Sequence, residues 1–143
     1  MASILKVNTL TGASTAGSIA VTGEGNSTTT NLQQGLGKVW ANVDSSTAAR
    51  DSFNVSSLTD NSAGNTTVNI NNDMGNANYT GSWYTTAYNT SNVGDFVNNL
   101  TGGFGGFATG SYTTISHNGS AQVDSDRNFS TIFGDLARAK QQN

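Results

Sequence analysis

The sequence predicts an all-β protein with an antiparallel β-sandwich-like body (residues 32–143) and an extended N-terminal arm (residues 1–31). In many short runs, apolar residues alternate with Asn, Ser and Thr, a pattern typical of strands with one buried face. Turn residues recur every 8–14 residues, a spacing typical of a sandwich or a small barrel. The sequence lacks an alternation of strands with long helices, so a nucleotide-binding parallel sheet is not indicated.

The chain is poor in residues that build a core. Leu, Ile, Val and Phe make up 27 of its 143 residues, which approaches the composition of disordered proteins, but a net charge of −3 and 10% charged residues provide little repulsion. It has no cysteine and one histidine, so disulfides, thiolate sites and histidine clusters for zinc are excluded. Sharing buried surface between subunits is the remaining route to stability, and we therefore expect an oligomer.

The composition also disfavours other classes of protein. The sequence has no run of about 18 apolar residues, so no membrane span is expected, and its first residues lack the basic and apolar regions of a secretory signal. Six basic residues and an acidic balance argue against a nucleic-acid partner. We expect no cofactor and no metal.

The N-terminal arm begins with a short extended run that contains four apolar residues, Ile4, Leu5, Val7 and Leu10. These side chains need a surface to contact, and we expect the arm to dock on a neighbouring protein. A disordered terminus is the alternative.

The body begins with the strand "KVWANV". Val39, Ala41 and Val43 share one face of this strand, and Trp40 lies on the other. We expect Trp40 to be half-buried at a subunit contact, because aromatic residues concentrate at interfaces.

The next stretch predicts an antiparallel hairpin. Phe53 and Val55 are in phase, and a β-bulge at Ser56–Ser57 returns Leu58 to the same face. The sequence "DNSAGN" supplies the turn. The apolar face of the returning strand then consists of Thr66, Val68 and Ile70.

A third strand, residues 78–88, has aromatic residues on both sides. Alternation places Tyr79 and Trp83 on one side and Tyr84 and Tyr88 on the other, so one side is exposed unless a partner covers it. Exposed rings among Asn and Asp side chains are also suited to stacking on sugars. The candidate subunit-interface residues are Trp40, Phe53, Tyr79 and Trp83, and the candidate glycan contacts are Tyr84, Tyr88 and Tyr112.

The C-terminal half offers few signs of chemistry. The glycine-rich "GGFGGF" (102–107) is expected to be a loop that packs two rings, and strands are expected at about 108–117 and at 129–133. His117 is expected at a strand end. Asp124 and Asp126 are spaced like the start of a calcium loop, but the required Gly and Glu are absent. The acidic residues fall mostly in turns, so we expect no enzyme.

Residues 36–80 and both ends of the chain resemble tail-fibre and appendage proteins of tailed bacteriophages, especially marine ones. The opening "SILKVNTLTG" and the closing "STIFGDLA" are similar to the ends of such proteins, with Phe133 where His is usual. Residues 81–127 depart from the pattern. The central motif matches at Trp40, Arg50, Asp51, Ser52, Phe53, Asn54, Val55, Leu58, Asp60, Asn61, Gly64, Val68, Ile70, Met74, Ala77, Asn78 and Tyr79.

The resemblance implies a structural protein of the virion. It also implies an intertwined homotrimer that is attached to other virion proteins through the N-terminal arm. A fibre tip that binds a host-surface glycan and a capsid decoration protein are the alternatives, and a glycan depolymerase is disfavoured because no carboxylate pair is evident.

Overall fold

A computed structural model describes residues 4–12, 19–22, 29–86, 101–118 and 120–137. The chain divides into two compact units, Met1–Leu36 and Gly37–Asn143, which are described separately.

The described residues of the first unit form two short strands and one helical turn. Strands β1 (Ala20–Thr22) and β2 (Thr29–Asn31) pair antiparallel, and the turn α1 (Leu32–Gly35) follows directly. The amide of Leu32 donates to the carbonyl of Ile19 at 2.8 Å. No described helix has the length and apolar character of a membrane span.

The described residues of the second unit form two four-stranded antiparallel sheets. Sheet I has the order β4-β3-β10-β7 and sheet II the order β5-β6-β9-β8. The prediction of an all-β fold with antiparallel sheets, consistent with a sandwich, is confirmed. The strands are β3 (Val39–Val43), β4 (Ala49–Phe53), β5 (Val55–Ser62), β6 (Asn65–Ile70), β7 (Thr80–Thr86), β8 (Thr101–Ala108), β9 (Ser111–His117) and β10 (Arg127–Phe133).

The core is small and partly polar. Its fully buried apolar members come from both sheets and from the bridge residue Met74: Val39, Ala41, Val43, Val68, Ile70, Met74, Tyr112 and Ile132. Hydroxyl groups are buried among them, and the Tyr112 hydroxyl lies 2.7 Å from Ser130 Oγ, which joins sheet II to sheet I. Such buried hydroxyl pairs are stable because each satisfies the other.

The chain passes from sheet I to sheet II at Asn54, which has a left-handed φ of 58°. Its side-chain amide donates to the carbonyls of Lys38 (3.0 Å) and Asn72 (3.1 Å), and its Oδ1 accepts from the Asn72 amide at 2.8 Å. Asn tolerates this backbone region better than other non-glycine residues. The sequence prediction of one strand through Phe53 and Val55 is wrong, because this corner separates them.

The hairpin of β5 and β6 is confirmed. The register shifts between Val55 and Ser57, as the phase of the sequence predicted, and again between Asp60 and Ser62. Gly64, at φ 68°, lies in the turn, and its amide donates to Asp124 Oδ1 at 2.7 Å.

The glycine-rich segment is a strand, β8, and the prediction of a loop there is wrong. Its glycines allow close packing: a Cβ at Gly102 would overlap the Ile115 carbonyl and lie 2.8 Å from the Trp83 ring. The two rings do pack together as expected, since Phe104 and Phe107 have centroids 5.6 Å apart.

Candidate functional site

The two faces of sheet I differ sharply in chemistry. Along β3 and β10, alternate residues are buried, so Val39, Ala41 and Ile132 point into the core. The residues that alternate with them point outward, and the register places their partners on β4 and β7 on the same side. Five outward residues of the sheet are aromatic, three on β3 and β10 and one each on β4 and β7. We call this set the aromatic face: Trp40, Phe53, Tyr84, Phe129 and Phe133.

The aromatic face has residues on all four strands of sheet I. Trp40 on β3 is the cross-strand partner of Phe53 on the edge strand β4. On the other side, Phe129 on β10 is opposite Tyr84 on β7, and their ring centroids are 6.2 Å apart at an interplanar angle of 33°. Trp40, Phe53 and Tyr84 remain 37%, 53% and 44% exposed. Aromatic pairs of this kind concentrate at protein interfaces.

Two opposite charges lie on the same face. Asp51 of β4 is the cross-strand partner of Asn42, and one oxygen of its carboxylate accepts from the Ser52 amide at 2.8 Å. Arg127 of β10 is opposite Thr86 and is exposed. The described residues contain no ion pair between these two side chains.

The outward side of the β5–β6 hairpin in sheet II is polar and hydrogen-bonded to itself, and we call it the hydroxyl–amide face. Asn69 Nδ2 donates to Ser57 Oγ (3.0 Å) and Thr59 Oγ1 (3.2 Å). Asn61 Nδ2 donates to Asn65 Oδ1 (3.1 Å) and Thr67 Oγ1 (2.8 Å). Both hydrogens of each amide are therefore used within the sheet, which explains why Asn, Ser and Thr occupy alternate positions in this part of the sequence.

Only two of the four predicted interface residues share a surface. Trp40 and Phe53 lie side by side on the aromatic face. The Tyr79 hydroxyl instead lies 2.8 Å from the carbonyl oxygens of both Ala108 and Ser111, which share its one hydrogen, and burial raises the pKa of Tyr79. Trp83 points inward, beside Gly102. Tyr79 and Trp83 therefore pack within the chain and lie away from the aromatic face, and their place at a subunit interface stays a prediction.

The predicted glycan contacts also separate. Tyr84 lies on the aromatic face, and Tyr88 lies outside the described residues. Tyr112 is fully buried, so its assignment as a surface contact is wrong. Desolvation raises its pKa to about 12, although the Ser130 hydrogen bond opposes the shift.

The residues of the N-terminal arm are exposed in the structure. Ile4 and Leu5 are 78% and 79% exposed, and Val7 and Leu10 are 56% exposed. This exposure is compatible with docking on another protein, which stays a prediction.

Sequence reasoning missed Phe129 as a surface residue. Phe129 alternates with Asn128 and Ser130, which are buried. Because both of these inward residues are polar, the apolar pattern of the strand predicts Phe129 on the buried face.

No arrangement for acid–base or metal chemistry is found in the described part of the chain. His117 ends β9, and Asp124 holds the Gly64 turn. The described residues contain no group of three potential metal ligands. A cavity of about 330 Å³ beside the edge strands has no titratable lining residue; it is lined by Thr47, Ala49, Ser52, Val55, Ser56, Ser57 and Leu58.

No protein-family model matches the chain, and no curated protein or solved structure matches it either.

Proposed function

We propose that the chain is a structural subunit of the virion of a tailed bacteriophage, a homotrimeric fibre or appendage protein attached through its N-terminal arm. The observation behind this proposal is the aromatic face of sheet I, which contrasts with the hydroxyls and amides on the outward side of the β5–β6 hairpin. Exposed apolar patches on a protein surface are often interaction sites.

The exposed area is large enough to matter for assembly. If a fully exposed aromatic side chain has an area of roughly 200 Å², the exposed fractions of Trp40, Phe53 and Tyr84 together correspond to about 270 Å². Burying that area would contribute about 7 kcal/mol before the cost of association, which is about 4–15 kcal/mol. Contacts made by the rest of the sheet surface would have to supply the remaining free energy of association.

Two further features support the virion role. The motif shared with tail-fibre and appendage proteins includes Trp40, Asp51 and Phe53, which lie together on the aromatic face. The exposed apolar residues of the N-terminal arm provide a second surface for attachment to other virion proteins.

The oligomeric state tests the first part of the proposal. At micromolar concentration, light scattering should give a mass of about 44 kDa, three times the 14.8 kDa of one chain. The double variant Trp40→Thr/Phe53→Thr should be monomeric with unchanged circular dichroism. A matched control on the hydroxyl–amide face, Thr59→Ala/Thr67→Ala, should remain trimeric. A monomeric wild-type protein would refute the homotrimer.

The location on the particle tests the second part. Antibodies against the chain should label the tail or the capsid surface of the phage that encodes it. Deletion of residues 1–31 should leave the trimer intact and prevent its incorporation into particles. Normal incorporation would disprove the anchoring role, and unlabelled particles would disprove the virion role.

Glycan binding is a second candidate, favoured by the position of Tyr84. Its exposed ring is on the strand next to that of Phe129, and Asn42 is one strand further. A ring that can stack on a sugar and an amide that can bind sugar hydroxyls therefore lie on one surface. Titration with host-surface oligosaccharides should then broaden or shift the resonances of Tyr84, and Tyr84→Ala should abolish binding without changing the mass of the oligomer. Unshifted resonances at millimolar sugar would exclude this candidate.

A further inference from the structure

We propose that the aromatic face joins subunits head to tail, so that its β4–β3 half in one copy docks on its β10–β7 half in the next. This inference rests on the proposed homotrimer and adds the contact that builds it. The β4–β3 half comprises Asp51, Phe53 and Trp40. The β10–β7 half comprises Arg127, Phe129 and Tyr84.

At their outward-facing positions, each half has one cross-strand aromatic pair, and the two halves have charges of opposite sign. The pairs are Phe53 with Trp40 and Phe129 with Tyr84. The β4–β3 half adds the carboxylate of Asp51, and the β10–β7 half adds the guanidinium of Arg127. Opposite charges across an interface select the partner and its register more than they add affinity.

The register keeps the two charges apart within one chain. Asp51 is opposite Asn42, which is opposite Phe129, and Arg127 lies two residues further along β10. Two strand spacings of about 4.8 Å and two residues of about 3.3 Å separate their backbones by roughly 12 Å. Each charge is therefore placed to meet one from another copy.

Charge also disfavours the other pairings of the halves. If like halves met, Asp51 would face Asp51, or Arg127 would face Arg127, and each contact would be repulsive. Unlike halves bring Asp51 of one copy to Arg127 of the next. A contact between two different patches is heterologous, and repeated around an axis it closes into a ring. Three copies complete that ring in the proposed homotrimer.

Charge reversal tests this docking in the full chain. Asp51→Arg and Arg127→Asp should each raise the dissociation constant of the oligomer at least about tenfold in sedimentation equilibrium at about 0.01 M salt, and the two losses should shrink at about 1 M salt, where charges are screened. The double variant Asp51→Arg/Arg127→Asp should recover to within about threefold of the wild type. Asp60→Arg, an exposed reversal on sheet II, is the matched control and should have no effect.

Mixing the two single variants tests the ring. In a dimer with one copy of each variant, both contacts pair opposite charges. A ring of three must place two copies of the same variant side by side, and that contact pairs like charges. Mixing should therefore restore only part of the affinity. Full restoration together with a dimeric mass would overturn the ring of three. Unchanged affinity in both single variants, with the trimer intact, would overturn the docking and leave the proposed function standing. A monomeric wild-type protein would overturn both.

Discussion

Replacing Asn54 by alanine should destabilise the body by about 3 kcal/mol. The side chain makes three hydrogen bonds at the corner between the sheets, two from Nδ2 and one to Oδ1. At about 1 kcal/mol each these contribute about 3 kcal/mol, and an alanine in the left-handed region costs about 1 kcal/mol more. Two of the three bonds lie at exposed positions, where water replaces part of the loss, which lowers the total to about 3 kcal/mol.

Glycine separates the two contributions. Asn54→Gly also loses the three hydrogen bonds but accepts a φ of 58° without strain, so it should cost about 2 kcal/mol. Asn54→Asp keeps the acceptor for the Asn72 amide but places a carboxylate against the Lys38 and Asn72 carbonyls, so it should cost at least as much as alanine. Asn72→Ala, which keeps the main-chain partners of Asn54, is the matched control and should change stability by less than about 0.5 kcal/mol.

Urea unfolding at one fixed protein concentration measures these differences. With a slope of about 2 kcal/mol per molar urea, Asn54→Ala should lower the midpoint by about 1.5 M and Asn54→Gly by about 1 M. Fixing the concentration matters because the midpoint of an oligomer depends on it. An alanine variant as stable as the control, or more stable than the glycine variant, would refute this account of the corner.

Two further predictions concern the interior. The folded state favours the neutral Tyr112 phenol, so this stabilisation is complete below the unfolded pKa of 10.0 and is lost as pH rises towards about 12. Chemical denaturation across that pH range should show that Tyr112→Phe removes this alkaline loss of about 2–3 kcal/mol in the free energy of unfolding. The same dependence of stability on pH in the variant and the wild type would contradict this prediction. Gly102→Ala should prevent β8 from packing against Ile115 and Trp83 and lower the urea midpoint by at least about 1 M, whereas Gly103→Ala, which meets nothing within 4 Å, should have little effect. Equal midpoints for the two alanine variants would show that the close approach at Gly102 is unimportant.

The sequence was informative where apolar alternation and turn residues coincided. The burial of Val39, Ala41 and Val43 follows from their spacing, and the bulge after Val55 follows from the late position of Leu58. These features are local, so they can be derived from the period of a strand.

Features that depend on distant contacts could not be derived in this way. Phe53 and Val55 fit one strand equally well, and only the partners of Asn54, at Lys38 and Asn72, show that the chain turns there. The glycines of β8 were read as a loop because glycine weakens strands, whereas the approach of Ile115 requires Gly102.

The candidate site was predictable only in part. Trp40 could be placed opposite the buried face of its strand from its phase, whereas the phase of Phe53 placed it with Val55 on the apolar face of the hairpin. Their adjacency depends on the pairing of β3 with β4, and the contribution of Phe129 and Tyr84 depends on the pairing of β10 with β7.

The two bulges of β5 have a consequence for aggregation. This edge strand is rich in Ser, Thr and Asn and has one charge, a composition that can template amyloid-like stacking. The bulges limit its regular pairing to the four residues Ser57–Asp60, shorter than the roughly six residues from which a steric zipper forms. Edge bulges of this kind obstruct pairing with strands from other molecules. Copies of this chain held close together are therefore protected from pairing through the β5 edges of their sheets.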